Sequence, residues 1–177
     1  MRIEMMSAAD VPPAMRGALR ALSAAVYPPE VVATLPGRDL AWARQQQSIL
    51  VWEDGRLVAH VGLVVREVVL DGQGMRIGGI GGVMTHPAAQ RQGYASAMLR
   101  RAADCFASDP AIAFALLCCP PQRVSFYERL GWRRFGGTLL VAQPSGTVEF
   151  AVNAVLVRAV HRPAPQSGTL DLCGLPW

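Results

Sequence analysis

Two short stretches of this 177-residue chain combine residue types that could do chemistry. The first is Gln90-Arg91-Gln92-Gly93-Tyr94-Ala95-Ser96. It follows an apolar run, Ile80 to Thr85, that His86-Pro87 closes, and it opens a segment with Ala95, Met98, Leu99 and Ala102 at helical spacing. The first turn of a helix carries backbone N–H groups without intrahelical acceptors, and the helix dipole adds positive charge there. Gly93 and the small Ala95 let a pyrophosphate approach those amides, and Arg91 adds mobile positive charge. The chemistry predicted here is anion binding. The run before the loop is crowded with glycine, at Gly78, Gly79, Gly81 and Gly82. Glycine within a strand marks a bulge or a close approach to the backbone. The second stretch, Phe126-Tyr127-Glu128-Arg129-Leu130-Gly131-Trp132, sets a phenol near the end of a helix that Gly131 terminates.

The remaining reactive side chains form no comparable pattern. His60 lies among apolar residues and reads as a satisfied core histidine. Cys105, Cys118, Cys119 and Cys173 include no C-x-x-C pair, so neither a metal site nor a disulfide framework is expected. A reduced, cytoplasmic, bacterial protein is the expectation. The formal net charge is +4 and every cation is arginine. The arginines are dispersed and not interleaved with stacking aromatics, which speaks against nucleic acid as a partner. Some of Arg91, Arg100, Arg101, Arg123 and Arg129 are expected around a polyanionic cofactor. No apolar run reaches membrane-span length, and the first ten residues lack the apolar core of a signal peptide.

The elements that must position these stretches can be read in order. Residues 2–6 form a short strand, and Asp10 is a candidate cap for a helix from Met15 to Val26. Tyr27-Pro28-Pro29 breaks that helix. A short helix follows from Glu30 and a third lies around Asp39 to Gln47. Ser48–Glu53 and Arg56–Leu70 form a hairpin about Asp54-Gly55. Asp71 to Gly74 turns the chain into the next strand, which runs into the glycine-rich stretch. Ile112–Cys119 is almost continuously apolar and reads as a central strand. Leu139–Ala142 and Val148–Val157 make a last hairpin around Pro144-Ser145-Gly146. The tail from Pro163 to Trp177 packs back through Leu170, Leu172, Leu175 and Trp177.

The loop Gln90–Ala95 and the Tyr-x-x-x-Gly-aromatic segment ending at Trp132, with an apolar strand between them, resemble the two signatures of the GNAT superfamily of N-acetyltransferases. The resemblance covers residues 48–142 well. It implies an α/β (α+β) fold, a mixed, mostly antiparallel twisted sheet of about six to seven strands flanked by about four helices. It divides a single domain, 1–177, into acceptor-side helices (1–47), an acetyl-CoA-binding core (48–142) and a C-terminal strand with a packed tail (143–177). It implies acetyl-CoA as co-substrate, held by Gln90, Arg91, Gln92, Gly93, Tyr94, Ala95 and Ser96. Val83, Met84 and Thr85 on the strand end would meet the pantetheine arm, and the N–H of Val83 or Met84 would polarise the thioester carbonyl. Tyr127 would give a proton to the departing thiolate. Many members carry a glutamate as base where Gly81 and Gly82 stand here. His86, His60, Glu149, Asp171 or a terminal carboxylate at Trp177 are the alternatives, and an amine that arrives neutral needs none.

The run Ala59-His60-Val61-Gly62 through Arg76, the Tyr127 segment and Trp177 also resemble aminoglycoside 2′-N-acetyltransferases, a GNAT branch. Gly81 stands where that branch is acidic, and Pro144-Ser145-Gly146-Thr147 lacks its acidic cluster. The expected acceptor is therefore a smaller or less charged amine, bordered by Asp39, Trp42, Gly81, Glu149 and Trp177. The other readings are acetylation of an aminoglycoside and a non-catalytic acyl-CoA-binding domain. No metal, nucleic-acid or membrane partner is expected, and a homodimer is an assembly open to the chain.

Overall fold

The computed structural model describes residues 1–177. It opens with β1 (Arg2–Ser7), then α1 (Pro13–Val26), α2 (Pro29–Val32), β2 (Gln47–Glu53), β3 (Arg56–Leu70) and β4 (Gln73–Thr85). There follow α3 (Tyr94–Ala107), β5 (Ile112–Cys119), α4 (Val124–Glu128), β6 (Arg133–Arg134) and β7 (Thr138–Gln143). The chain ends with β8 (Gly146–Glu149), β9 (Ala154–Ala159) and β10 (Thr169–Asp171). All ten strands join one mixed sheet in the order β6-β9-β5-β4-β3-β10-β7-β8. β3 is long enough to serve two neighbours on one edge. Its first half pairs with β2, which carries β1, and its last residues pair with β10.

The predicted α/β (α+β) class holds, with ten strands where about six to seven were expected, because β6, β8 and β10 are too short to leave a periodic signature. Three local expectations are corrected. Residues 39–46 are irregular, not helical, and Gln47 already belongs to β2. Their polar backbone is claimed by distant partners instead. The Ala41 N–H donates to Gln143 Oε1 (2.8 Å), and the Ala43 N–H donates to the Pro176 carbonyl (2.7 Å). Val148–Val157 is not one strand: Phe150 turns into the core, and β8 and β9 lie at opposite ends of the sheet. Asp10 caps no helix. Ser7 caps the single turn Ala8–Asp10, and α1 starts at Pro13, where proline's fixed φ and missing N–H cost nothing.

The sheet is covered on both faces. On one, Met98, Leu99, Ala102 and Phe106 of α3 pack on Ile49, Val61, Leu63, Ile80, Ala115 and Leu117. On the other, the tail packs Leu170, Leu172 and Trp177 onto Val64, Val68, Ile77 and Leu116, and α1 places Leu22 on Leu50, Leu57 and Met84. Cys118 and Cys119 face opposite sides, as adjacent strand residues must. The crowded glycines of β4 are explained by these layers. A Cβ at Gly78 would stand 2.6 Å from the Phe106 ring, and one at Gly79 would collide with the Trp177 indole. At Gly81 it would stand 2.9 Å from the Trp177 backbone carbonyl carbon. Gly82 is different: its φ of +56° lies in the left-handed region.

Candidate active site

The site is built where two parallel neighbours part. β4 and β5 run together only as far as Ile80 opposite Leu117. β4 continues to Thr85, held by β3, and β5 continues to Cys119, held by β9. A wedge opens between them, and the β4 backbone from Gly81 to Thr85 has no β5 partner across it. This is the strand end to which Val83, Met84 and Thr85 were assigned.

The loop at the mouth of the wedge is shaped for an anion. Pro87–Ala89 make one tight turn, capped by His86, whose Nδ1 accepts from the Ala88 N–H (3.2 Å). Arg91 (φ +65°) and Gly93 (φ +84°) are both left-handed, a sharp reversal that ends at the first turn of α3. Gly93 caps α3 with no side-chain bond, and the first N–H to find an acceptor is that of Ala97, on the Gly93 carbonyl (3.0 Å). The amides of Tyr94, Ala95 and Ser96 are thus open at the positive end of the helix dipole. The exposed Arg91 has no ion pair, and Gln90 is exposed beside it. Tyr94 is buried and its hydroxyl donates to Gln92 Oε1 (3.0 Å), so these two side chains brace the loop. This cradle fits a pyrophosphate, with open amides and a free guanidinium, while the nearby carboxylates Glu53 and Asp54 lie at the far end of the Tyr94 ring, by its hydroxyl.

Tyr127 stands on the other lip. Pro120-Pro121 leads through one tight turn into α4, and Gly131, at φ +84°, ends the helix with its N–H donating to the Glu128 carbonyl. The Tyr127 ring is 7% exposed and packs on Cys119, the last residue of β5, and its hydroxyl has no hydrogen-bond partner within the chain. Burial pushes the phenol well above its ordinary range. The Cys119 thiol and the Tyr27 phenol add to this, and Arg123 works against it. Burial also lifts the Cys119 thiol to about 11, opposed by Arg134, so Cys119 stays a neutral packing residue.

On the acceptor side the residues separate. Gly81 and Trp177 are brought together, the indole lying over Gly79 and Gly81. The Arg66 guanidinium sits 5.0 Å from the Trp177 ring centroid and donates to the Leu175 carbonyl (2.6 Å). Trp42 packs edge-on against Phe150 (5.9 Å between centroids), and its N–H donates to the Gly37 carbonyl (3.0 Å). Asp39 is exposed and pairs with its neighbour Arg38 (3.6 Å), and Glu149 is exposed at the end of β8. Asp171 accepts the Cys173 N–H (2.8 Å) within the tail. No three His, Cys, Asp or Glu side chains are gathered as a metal site, and no helix is long and apolar enough to cross a membrane.

His60 is buried, 3% exposed, with both ring nitrogens engaged. Nδ1 lies 2.8 Å from the Gly82 carbonyl oxygen and Nε2 lies 3.1 Å from Ser48 Oγ. Ser48 and the Gly82 conformation went unnoticed in the sequence. Part of the signal was present: Ser48 is a buried hydroxyl beside the apolar run Ile49-Leu50-Val51, and it shares a face with His60 through a register shift at Val51/Trp52.

A family model described as "Acetyltransferase (GNAT) domain" matches residues 18–135. Comparison with curated proteins returns no match. Among solved structures, Escherichia coli ElaA superposes with a TM-score of 0.63 at 16% identity, covering 89% of this chain and 98% of that one. An acyl-CoA N-acyltransferase from Pseudomonas aeruginosa has a TM-score of 0.61 at 20% identity, covering 89% and 99%. A GNAT family acetyltransferase from Brucella melitensis, solved with acetyl-CoA, has 0.57 at 16% identity, covering 96% and 94%. These likenesses show the fold, and the family match spans well over half the chain. With the strand wedge and the anion-binding helix end it supports one assignment: the chain belongs to the GNAT acetyltransferase family.

Proposed function

We propose that the protein transfers an acetyl group from acetyl-CoA to the amine of a small molecule, by direct attack of the amine on the thioester. The observation that carries this reading is the wedge between β4 and β5, with the open amides of α3 on one lip and Tyr127 on the other. Tyr94, Ala95 and Ser96 offer backbone N–H groups to the pyrophosphate, and Arg91 adds charge. The unpaired β4 edge from Gly81 to Thr85 takes the pantetheine arm as an added strand would lie. Tyr127 serves the departing sulfur. A phenol held above its ordinary pKa keeps its proton at neutral pH and donates a hydrogen bond to developing thiolate charge more readily than it gives the proton away.

No side-chain base is evident. His60 spends both nitrogens on Ser48 and Gly82, His86 caps a turn, Asp171 holds the tail and Glu149 is exposed on β8. The acceptor therefore enters as a neutral amine. The Arg66 charge beside Trp177, and Asp39 paired on the surface, favour a small or weakly charged acceptor over a polycation such as an aminoglycoside.

The test is release of coenzyme A from acetyl-CoA against a panel of amines, aminoglycosides included, with Tyr127→Phe alongside. Turnover is expected with a small amine, and Tyr127→Phe should lower kcat by about 100-fold with little change in KM for acetyl-CoA. Tight binding of acetyl-CoA with no turnover on any amine would overturn the catalytic reading in favour of a binding domain.

A further inference from the structure

β4 contains one residue too many. His60 faces Met84 and Gly62 faces Gly81, so Val61 alone stands opposite Gly82 and Val83. This is a bulge whose left-handed residue is Gly82. Its effect shows in the packing. Before it, Ile80 faces α3 while Gly79 and Gly81 face the tail. After it, Val83 packs toward α3 and Met84 packs toward α1. The strand changes phase without moving an apolar side chain into water, and the peptide between Gly82 and Val83 is the unit that turns.

His60 grips that unit. A carbonyl can only accept, so the 2.8 Å contact puts the hydrogen on His60 Nδ1. Nε2 is then the acceptor for the Ser48 hydroxyl at 3.1 Å. Ser48 thereby selects the tautomer, as a partner on the second nitrogen does. The Gln45 side chain lies across Gly62, and its Nε2 is 2.9 Å from where a Gly82 Cβ would stand, which shields the bond from water. All peptides are trans. In a planar trans peptide the carbonyl and the following N–H point in opposite directions. With the Gly82 carbonyl drawn to His60, the Val83 N–H points away from the His60 ring, on a stretch of β4 that has no β5 partner.

We infer that His60 is a positioning residue for acetyl transfer: its Nδ1–H bond to Gly82 aims the Val83 N–H, not that of Met84, at the thioester carbonyl oxygen. This rests on the reading of the wedge as the acetyl-CoA cleft. The residue touches no reacting atom. Its contribution is to fix a donor where negative charge grows, which is worth more than the same donor left free to rock.

The experiment reads the thioester directly. Isotope-edited infrared spectra of acetyl-CoA bound to wild type, His60→Leu and His60→Asn report the carbonyl stretch, alongside kcat and KM with the best amine of the panel. The Asn amide nitrogen takes the place of Nδ1, and Leu offers no donor. The expected result is a lowered stretch in wild type and His60→Asn that reverts in His60→Leu. With it goes a kcat loss of about tenfold or more in His60→Leu, at a KM for acetyl-CoA within about twofold. Nitrogen NMR of the wild type should show the Nδ1–H tautomer at neutral pH, which decides the matter even where His60→Leu fails to fold. An unchanged stretch and kcat in folded His60→Leu, the Nε2–H tautomer, or equal losses of stability in both variants without a selective kcat effect would each overturn the inference. If wild type binds no acetyl-CoA, the acetyltransferase reading falls and this inference with it. If acetyl-CoA binds and only the His60 variants behave like wild type, this inference alone falls.

Discussion

Burial acts on Tyr127 and His60 in opposite directions on the pKa scale and to the same end: both are held neutral. On the proposed reading Tyr127 is the uncharged donor of the cleft, His60 spends its hydrogen on Gly82, and neither acts as a base. It follows that the pH dependence of kcat/KM belongs to the acceptor. Activity should rise with pH up to the pKa of whichever amine is supplied and level off above it. Exchanging that amine for one of lower pKa should move the rise to lower pH by the same interval. A profile that ignores the amine and reports one fixed group would show that the protein supplies a base after all. What the sequence disclosed at this scale was local. Tyr127 and the Gln90–Ser96 loop sit in contiguous runs whose spacing carries its own meaning. The His60–Ser48 pair is separated by a hairpin whose register shifts at Val51/Trp52, so counting outward from the turn does not put the two side by side.

At the scale of elements, the glycines of β4 show how one residue type serves different neighbours. Their crowding read as a bulge or a ligand approach. Gly82 is the bulge, whereas Gly78, Gly79 and Gly81 make room for Phe106 of α3 and for Trp177, nearly a hundred residues downstream. Such room cannot be seen from β4 alone. Gly79→Ala should therefore unseat the indole and lower unfolding stability by about 1–3 kcal/mol, the range of an overpacked core. Gly74→Ala, with nothing within 4 Å of its Cβ, should stay near wild type. Denaturant melts of the two variants compare them. The same distance effect explains residues 39–46. Their composition suits a helix, yet bonds to Gln143 of β7 and to Pro176 of the tail hold them in an irregular path. By contrast the Asp54-Gly55 hairpin, the α3 face and the β5 strand were legible, because a turn signal or a periodic pattern suffices to define each.

For the molecule as a whole, His60 ties stability to acidity. Its folded pKa lies below that of an unfolded imidazole, about 6.5. Above that value both states are neutral at this group and its contribution is complete. As pH falls toward the lower folded value, the unfolded chain takes the proton first, and stability drains away. Thermal melts should be level above about pH 7 and fall on acidification. His60→Asn should flatten that fall, and an unchanged slope in the variant would place the acid sensitivity elsewhere.

The tail strand sets an order of events. β10 fills the gap between β3 and β7, antiparallel to one and parallel to the other, and Trp177 roofs the glycines of β4. A nascent chain can lay down the β2–β3–β4 ribbon early, since neighbours in sequence pair there. It cannot close the sheet until residues 169–171 have left the ribosome. Until then β3 and β7 each present an unpaired edge, the kind of surface that recruits other chains. Residues 169–171, made more than eighty residues after β4, are therefore the ones that cover both edges and end that exposure to aggregation.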